Sequence, residues 1–355
     1  MSDKHKNDKS DSLIVLDQEA AALMKEKTEA RRLQHLPAVI ALLLAVLLFS
    51  FTLLENLFPA FSLFSQPASW RTLALRQVIH WGVIPLLVLA IVLLIYKPSS
   101  SLISRRKEAP LSLASALLLG IVSAFAYYVL LELLQSIGLI SQLSKYLPAS
   151  LTIFAPFLRT TAGRTLAALT FTVFLPVISL IPLLLGLFLT PLLGSDRRLL
   201  SLSFTCLLGA LLPLDISAFF AYFLLWIILS YIYLAGSSLL TAALASCGYL
   251  TTLIYAPSVF ELLSNRFIAW QSTSKLQGTL LIFALLLIVL ILGLPGVFHF
   301  NLLNREQRHS QLALSLQPHI LKHLEKTTAR SALSWLLLVI ALILLLAALL
   351  ANHFI

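Results

Sequence analysis

Residues 279–294 read TLLIFALLLIVLILGL and carry no charged side chain. Apolar residues fill consecutive positions here, whereas a strand of a membrane β-barrel alternates apolar and polar residues. A helix needs about 20 mostly apolar residues to cross a hydrocarbon core about 30 Å thick, and this apolar run continues to Val297. The stretch therefore predicts a transmembrane helix.

The whole chain has the composition of a membrane protein. Of its 355 residues, 59% are hydrophobic and 11% are charged, whereas an ordinary soluble domain has about 25% charged residues. Further apolar runs predict an all-α, polytopic helical transmembrane bundle of about nine spans. The predicted spans are residues 36–58, 78–96, 111–134, 166–193, 199–214, 216–234, 237–256, 279–297 and 332–350.

The distribution of Lys and Arg predicts the orientation of this bundle. With the N-terminus inside, 18 of the 25 basic residues fall in inner segments and 7 in outer ones, in agreement with the positive-inside rule. We therefore expect a cytoplasmic N-terminus, an external Ile355 and an integral protein of the bacterial plasma membrane. The formal charge of +10 is explained by loops that meet the headgroups of the lipid bilayer, so no nucleic-acid partner is predicted.

Residues 230–250, SYIYLAGSSLLTAALASCGYL, interrupt an apolar run without using a charge. Tyr231 and Tyr233 have amphipathic rings that suit a membrane interface. Gly236 and the two serines after it permit a tight turn whose hydroxyls satisfy freed backbone groups. We therefore predict the tip of a helical hairpin near the inner interface. The small residues that follow allow close helix packing in lipid.

Three stretches, in this order and spacing, resemble the CPBP family of intramembrane proteases, the CAAX prenyl protease and bacteriocin-processing type. Residues 174–193 (FLPVISLIPLLLGLFLTPLL) resemble its first signature helix, where a proline precedes Glu-Glu-x-x-x-Arg and a glycine. Residues 207–240 (LLGALLPLDISAFFAYFLLWIILSYIYLAGSSLL) resemble the stretch with Phe-x-x-x-His, Tyr-x-Tyr and a Gly-Ser-Leu turn. Residues 241–250 (TAALASCGYL) lie where the family has His-x-x-x-Asn.

The side chains that this resemblance implies for catalysis are absent from the matching positions. These positions are occupied by Ser179, Leu180, Leu184, Gly209, Pro213, Ser246 and Leu250. The glutamate pair and the arginine also align one position later, again with apolar residues. The sequence has no histidine between His80 and His299 and no glutamate between Glu132 and Glu261. Peptide hydrolysis needs groups that transfer protons or bind a metal, and the residues at these positions do neither.

The resemblance without its catalytic residues favours a pseudoprotease with a binding or scaffolding role and with no cofactor or metal. Its partner would be another membrane protein or a peptide. Two alternatives stay open. One is an active endopeptidase of this family whose catalytic residues are displaced. The other is a transporter or permease subunit, in which Pro176 and Pro182 break a helix at mid-membrane.

Asp215, Glu132 and His80 are the remaining candidates for a site in the membrane. Asp215, in the stretch LPLDIS, lies between two predicted spans and fits either a hairpin cap or a substrate or proton site. Glu132 lies close to a membrane end. It can pair with His80 as an intramembrane proton site, or it can form a structural hydrogen bond or extend toward the interface.

Residues 317–326 (QPHILKHLEK) place His319 and His323 on one helical face. Two such imidazoles can bind a metal, but the zinc motif H-E-x-x-H requires a glutamate where this sequence has Ile320. Because leucines lie beside the histidines, we predict an amphipathic interfacial helix instead.

The predicted organisation of the chain has four parts. A cytosolic charged tail with a short amphipathic helix comes first, and a CPBP-like degenerate core lies between two groups of transmembrane helices. The last group includes an amphipathic linker at about 301–330. The parts are the tail 1–35, the N-terminal helices 36–162, the core 163–257 and the C-terminal helices 258–355.

Overall fold

The computed structural model describes residues 35–57, 70–97, 110–148, 166, 169–193, 198–236, 238–265, 275–315 and 332–354. Within these ranges the chain forms nine helices and no strand. The helices are α1 (Leu36–Leu57), α2 (70–96), α3 (Pro110–Ser136), α4 (Thr170–Leu193), α5 (Arg198–Leu211), α6 (Phe219–Gly236), α7 (Leu239–Leu263), α8 (Lys275–Ser315) and α9 (Ala332–Phe354). A short 3-10 turn, Leu143–Tyr146, follows α3.

The prediction of an all-α polytopic bundle with about nine helices is confirmed. Seven of the described helices are long and apolar enough to cross a membrane. The other two, α5 and α6, are apolar but shorter, with 14 and 18 residues. The protein is therefore a multi-pass membrane protein by length and composition, and its orientation stays a prediction.

Three helix boundaries differ by seven residues or more from those predicted from hydropathy. α2 begins at Trp70 rather than at residue 78, α7 ends at Leu263 rather than at residue 256, and α8 continues to Ser315 rather than ending near residue 297. Hydropathy detects only the apolar part of a helix, whereas polar residues such as Arg, Gln and Glu are good helix formers outside the hydrocarbon. Residues 301–315 of the predicted linker thus belong to α8. The predicted tail helix and residues 316–331 lie outside the described residues.

α1 packs most extensively against α9, so the first and last described helices are neighbours. Buried residues of α9 recur at alternating intervals of four and three, which is typical of left-handed helix pairs. These residues are Ser334, Leu338, Ala341, Leu345 and Ala348. His35 Nδ1 is hydrogen bonded with Ser334 Oγ at 2.7 Å, where both helices begin. The two helices therefore run parallel.

α3 packs against both α7 and α8. Gly120 marks the closest approach to α7, because a Cβ added there would overlap the carbonyl oxygen of Ala245. On the same interface Gly248 lies against the carbonyl oxygen of Leu117. Since lipid tails are as apolar as leucine, helices in a membrane associate through such close packing of small residues. Small residues that follow the break between α6 and α7, Ala245 and Gly248 among them, therefore lie at the interface of α7 with α3.

Prolines and π-helical turns widen α2 and α4 where the two helices pack together. In α2 the π segment Val78–Val83 comes just before Pro85, and α4 has two such segments, Thr170–Phe174 and Ile181–Leu189. A proline cannot donate a backbone hydrogen bond, and its ring crowds the carbonyl four residues earlier. The helix then makes wider turns. Some backbone carbonyls lose their hydrogen bond within the helix and can accept one from another helix.

A turn of residues 212–218 joins α5 to α6. We call it the buried turn because three of its side chains are buried, although Ile216 is 41% exposed. Leu212, Leu214 and Ala218 are each no more than 4% exposed. Leu214 has a φ of 50°, which is unfavourable by roughly 1–2 kcal/mol for a residue with a Cβ. Because α5 has only 14 residues, it is about 21 Å long, and the chain turns before it has covered a full span.

Candidate functional site

The family-like positions on α4 contact neighbouring helices. Ser179 is fully buried, and its hydroxyl donates a hydrogen bond to the carbonyl oxygen of Trp81 on α2. In a regular helix that carbonyl would accept from the N–H group four residues later, but that residue is Pro85. Leu180 and Leu184 are 3% and 0% exposed. The residues at these positions therefore pack against neighbouring helices, and Ser179 makes a hydrogen bond to the backbone of α2.

Gly209 and Pro213 occupy the second motif, at the end of α5 and in the buried turn. Trp226 of α6 lies over Gly209, so that a Cβ added at the glycine would overlap the indole ring. Trp226 itself is 2% exposed. The indole ring of Trp226 therefore fills the space beside Gly209, and α5 and α6 are in direct contact.

Ser246 and Leu250 occupy the third motif on α7 and are 3% and 1% exposed. Between them Tyr249 is fully buried, and its hydroxyl donates to the carbonyl oxygen of Ala221 on α6 at 2.8 Å. α7 therefore contacts α3 and α6 along the segment that we compared with the His-x-x-x-Asn motif of the CPBP family. None of the seven motif positions carries a group that transfers protons near neutral pH or binds zinc.

His80 connects α2 to the buried turn. Its Nε2 lies 2.7 Å from the carbonyl oxygen of Leu212, and because a carbonyl only accepts, Nε2–H is the donor. The imidazole is buried, and Arg76, about one turn earlier on α2, acts on it electrostatically. A buried polar group without a partner is costly in the low dielectric of a membrane protein. The hydrogen bond therefore holds the turn against α2.

Asp215 belongs to the same turn. Its Oδ1 accepts a hydrogen bond from the backbone N–H of Ser217 at 2.9 Å and another from the Ser217 hydroxyl, which is the geometry of an Asx turn. The carboxylate also lies within electrostatic range of Tyr222, whose ring stacks on Trp81 at 5.8 Å. The structure thus brings His80 and Asp215 to one short segment, although they are far apart in sequence.

An ion pair that sequence reasoning missed lies at the same end of α2. Arg76 donates to Glu55 on α1, with Nη2 and Oε2 3.3 Å apart. From the sequence we expected Arg76 in an external loop, but it lies within the helical segment Trp70–Gln77. The sequence contains a signal for this pair, because an acid, Glu55, lies near the end of one span and a base, Arg76, lies just before the next. Consecutive antiparallel helices bring two such ends close together.

Glu132 has a local partner rather than His80. The Tyr128 hydroxyl, one turn earlier on α3, donates to Glu132 Oε1 at 2.7 Å. Tyr128 also makes an edge-on contact with Phe260 of α7, with ring centroids 5.7 Å apart. Because His80 is hydrogen bonded to the buried turn instead, the hypothesis of a Glu132–His80 pair is wrong, and the alternative of a structural hydrogen bond describes Glu132.

No metal centre is found in the part of the chain that the structure describes, since no three His, Cys, Asp or Glu side chains are grouped there. His299 on α8 is hydrogen bonded with Ser112 on α3 at 3.1 Å, which is an interhelical contact. His319 and His323 lie outside the described residues, so the interfacial helix that we predicted around them stays a prediction.

These contacts divide the polar residues into two kinds. Ser179, Ser246 and Tyr249 lie within helix interfaces, whereas His80 and Asp215 lie at the buried turn, near the Glu55 end of α1. Intramembrane ionisable residues mark functional sites by default, so the region of the turn is the best candidate site. No family model, curated protein or solved structure matches this chain.

Proposed function

We propose that this multi-pass membrane protein acts by binding or scaffolding and does not cleave peptides. The observation that supports the proposal is the use of the family-like positions for packing. Ser179 donates a hydrogen bond to a backbone carbonyl, Gly209 lies against the ring of Trp226, and Leu184 is fully buried. If the resemblance to CPBP proteases reflects common ancestry, the chain has kept helices of that family and replaced its catalytic residues.

The replacement has a physical advantage for a protein that no longer catalyses hydrolysis. Cleavage of a peptide bond requires a water molecule, a base that accepts its proton, and donors or a metal for the oxyanion. Each ionisable side chain at mid-membrane costs about 2.5–3.5 kcal/mol by insertion scales. Serine, glycine and leucine avoid this cost. The changes that remove the chemistry therefore also favour insertion and tight packing of the bundle.

The direct test is a cleavage assay with the purified protein in proteoliposomes, using a prenylated CAAX-type peptide and casein as substrates. We expect no cleavage above that of a heat-inactivated sample. His80→Ala and Asp215→Ala are the informative variants, because these residues are the ionisable groups at the buried turn. Cleavage that either variant abolishes, while circular dichroism stays unchanged, would overturn the proposal in favour of an endopeptidase with displaced residues.

A second test asks whether water reaches the family-like positions. In a Cys206→Ser, Cys247→Ser background, Leu184→Cys places a thiol at a fully buried site, and Leu139→Cys places one at a residue that is 71% exposed. Thiol reactivity depends on access as well as on the thiolate fraction, so a water-soluble maleimide should label the control at least about tenfold faster. Equal rates would reveal a water-filled chamber and contradict the proposal.

One observation favours transport as a second candidate function. His80 meets a buried turn between two short helices, and α2 and α4 are both irregular beside it. Broken helices next to ionisable residues are typical of transporter binding sites. Proteoliposomes with an internal pH-sensitive dye test this candidate. A substrate-dependent proton flux that His80→Gln abolishes would favour transport over scaffolding.

A further inference from the structure

The interface between α5 and α6 contains two buried polar atoms for which the described residues supply no hydrogen-bond partner of ordinary geometry. They are the indole nitrogen Nε1 of Trp226 and the hydroxyl oxygen of Ser230, and both residues are 2% exposed. A buried polar group without a partner is costly. In a native protein such a group indicates a further partner, of which an ordered water is the simplest.

Both atoms face α5. Trp226 Nε1 lies against Gly209, where an added Cβ would overlap the indole ring. The Ser230 hydroxyl lies beside the Cys206 thiol, which is only a weak donor and a weak acceptor. Cys206 and Gly209 are three residues apart on α5, and Trp226 and Ser230 are four apart on α6, so each pair shares one helical face. Because a short turn makes the two helices antiparallel, the two contacts are neighbours along one interface.

The spacing of the two atoms suits one water molecule. Residues four apart on a helix have Cβ atoms about 5–6 Å apart. A water that accepts from an indole N–H at about 2.9 Å and donates to a hydroxyl oxygen at about 2.8 Å spans up to about 5.7 Å. The close contact of the indole ring with Gly209 also favours a small ligand.

We infer that one water molecule is enclosed between α5 and α6 and bridges Trp226 Nε1 to the Ser230 hydroxyl. An indole N–H only donates, whereas a hydroxyl both donates and accepts. The water therefore accepts from Trp226 and donates to Ser230. The Cys206 thiol beside the hydroxyl is a third polar group, and a buried water typically has about three hydrogen-bond partners.

This water joins the two helices that carry the buried turn, within the apolar part of the bundle. It is structural, because none of the three side chains around it accepts a proton from water near neutral pH. It therefore differs from the water-filled chamber that peptide hydrolysis requires. The inference does not depend on the proposed function, because a scaffold, a protease and a transporter can each contain such a water.

The first test is solution NMR of the full-length protein in lipid nanodiscs, with 15N-labelled tryptophan. Trp226→Phe identifies the indole signal of Trp226 among those of the five tryptophans. We expect this N–H to show a rotating-frame NOE cross-peak at the water frequency, and Ser230→Ala to lose most of it. Ser203→Ala is the matched control, because that exposed hydroxyl only donates within α5, and the cross-peak should persist. Absence of the cross-peak in the unmodified protein would overturn the inference.

The Ser230 hydroxyl proton itself exchanges with water, so a stability measurement completes the test. Removing a hydroxyl that holds a water should lower the unfolding midpoint, whereas removing an unpaired buried hydroxyl should leave it unchanged or raise it. We therefore expect Ser230→Ala to lower the midpoint in mixed micelles, and to do so equally in a Cys206→Ala background.

Two results of the stability measurement would contradict the enclosed water. A midpoint that Ser230→Ala leaves unchanged or raises would show that the hydroxyl is unpaired. An effect of Ser230→Ala that disappears in the Cys206→Ala background would assign the hydroxyl to the thiol. Both substitutions are small, so this comparison still decides the question if Trp226→Phe fails to fold.

Discussion

Pro85 cannot present the N–H that the carbonyl of Trp81 would meet in a regular helix, and Ser179 supplies a hydroxyl to that carbonyl instead. The serine and the proline are visible in the sequence, but the two hydrogen-bonded residues are separated by 98 positions. Nothing local to either stretch indicates their contact. From the sequence we therefore interpreted Ser179 only as a position where the CPBP motif has a glutamate. In the structure its hydroxyl forms a hydrogen bond to the backbone of α2.

Ser179→Ala should destabilise the bundle by about 1–3 kcal/mol, because it leaves the Trp81 carbonyl without the hydroxyl donor. Ser179→Glu, which introduces the acid found in the CPBP motif, should destabilise the bundle more, since it buries a charge among apolar residues. Ser203→Ala is the control, because that exposed hydroxyl only donates to a carbonyl of its own helix. Equilibrium unfolding in mixed micelles measures these differences. A Ser179→Ala protein as stable as the Ser203→Ala protein would contradict the prediction.

His80 provides a second residue-scale prediction. His80→Leu should lower the free energy of unfolding by about 1–3 kcal/mol, because the Leu212 carbonyl loses its donor within the buried turn. His80→Gln keeps an N–H donor of similar reach and should recover part of this loss. Thermal unfolding of the two variants in the same detergent makes the comparison. If leucine and glutamine behave alike, the hydrogen bond has no net stabilising effect.

At the scale of helices, the sequence predicted which segments are helical better than it predicted where they end. Apolar runs gave all nine helices, because hydrophobicity determines what enters the hydrocarbon. The beginning of α2 and the ends of α7 and α8 were wrong, since polar residues continue these helices outside the apolar run. The turn at 212–218 was predicted as a break between spans, but hydropathy gives no sign that His80 of α2 is hydrogen bonded to it.

The interface of α3 with α7 yields an element-scale prediction. Gly120→Ala should destabilise the protein by about 1–3 kcal/mol, because the added methyl group overlaps the Ala245 carbonyl and the backbones must separate. Gly186→Ala is the control, since its methyl group would meet the Leu239 side chain at an ordinary 3.6 Å. Unfolding in detergent micelles measures both. An equal effect of the two substitutions would show that the α3–α7 contact adapts easily.

At the scale of the whole molecule, the distribution of Lys and Arg predicts the orientation of the bundle. Lys97 follows α2, and Leu139 follows α3. In a background without native cysteines, Leu139→Cys should react with an impermeant maleimide added outside sealed right-side-out vesicles. Lys97→Cys should react only after the vesicles are permeabilised. The reverse pattern would show that the bundle is inverted, and labelling of both from one side would contradict the alternating arrangement of α2 and α3.

The candidate site was predicted in part. His80 and Asp215 were selected from the sequence because ionisable residues are rare in apolar spans, and the structure brings both to the buried turn. Their actual neighbours, including Trp81 and Tyr222, were not predicted. Pairing between distant helices depends on how the bundle closes, and a single sequence carries no direct signal of that arrangement.

The parallel packing of α1 against α9 has a consequence for biosynthesis. The ribosome makes α1 before the other described helices and α9 after them, so the most extensive partner of α1 is missing until all of these helices have been made. Until then the face of the nascent α1 that packs against α9 must be shielded by lipid, by the translocon or by an insertase. A stalled or prematurely terminated chain would leave this face without its partner helix. Membrane quality control could then recognise such a chain by the uncovered face of α1.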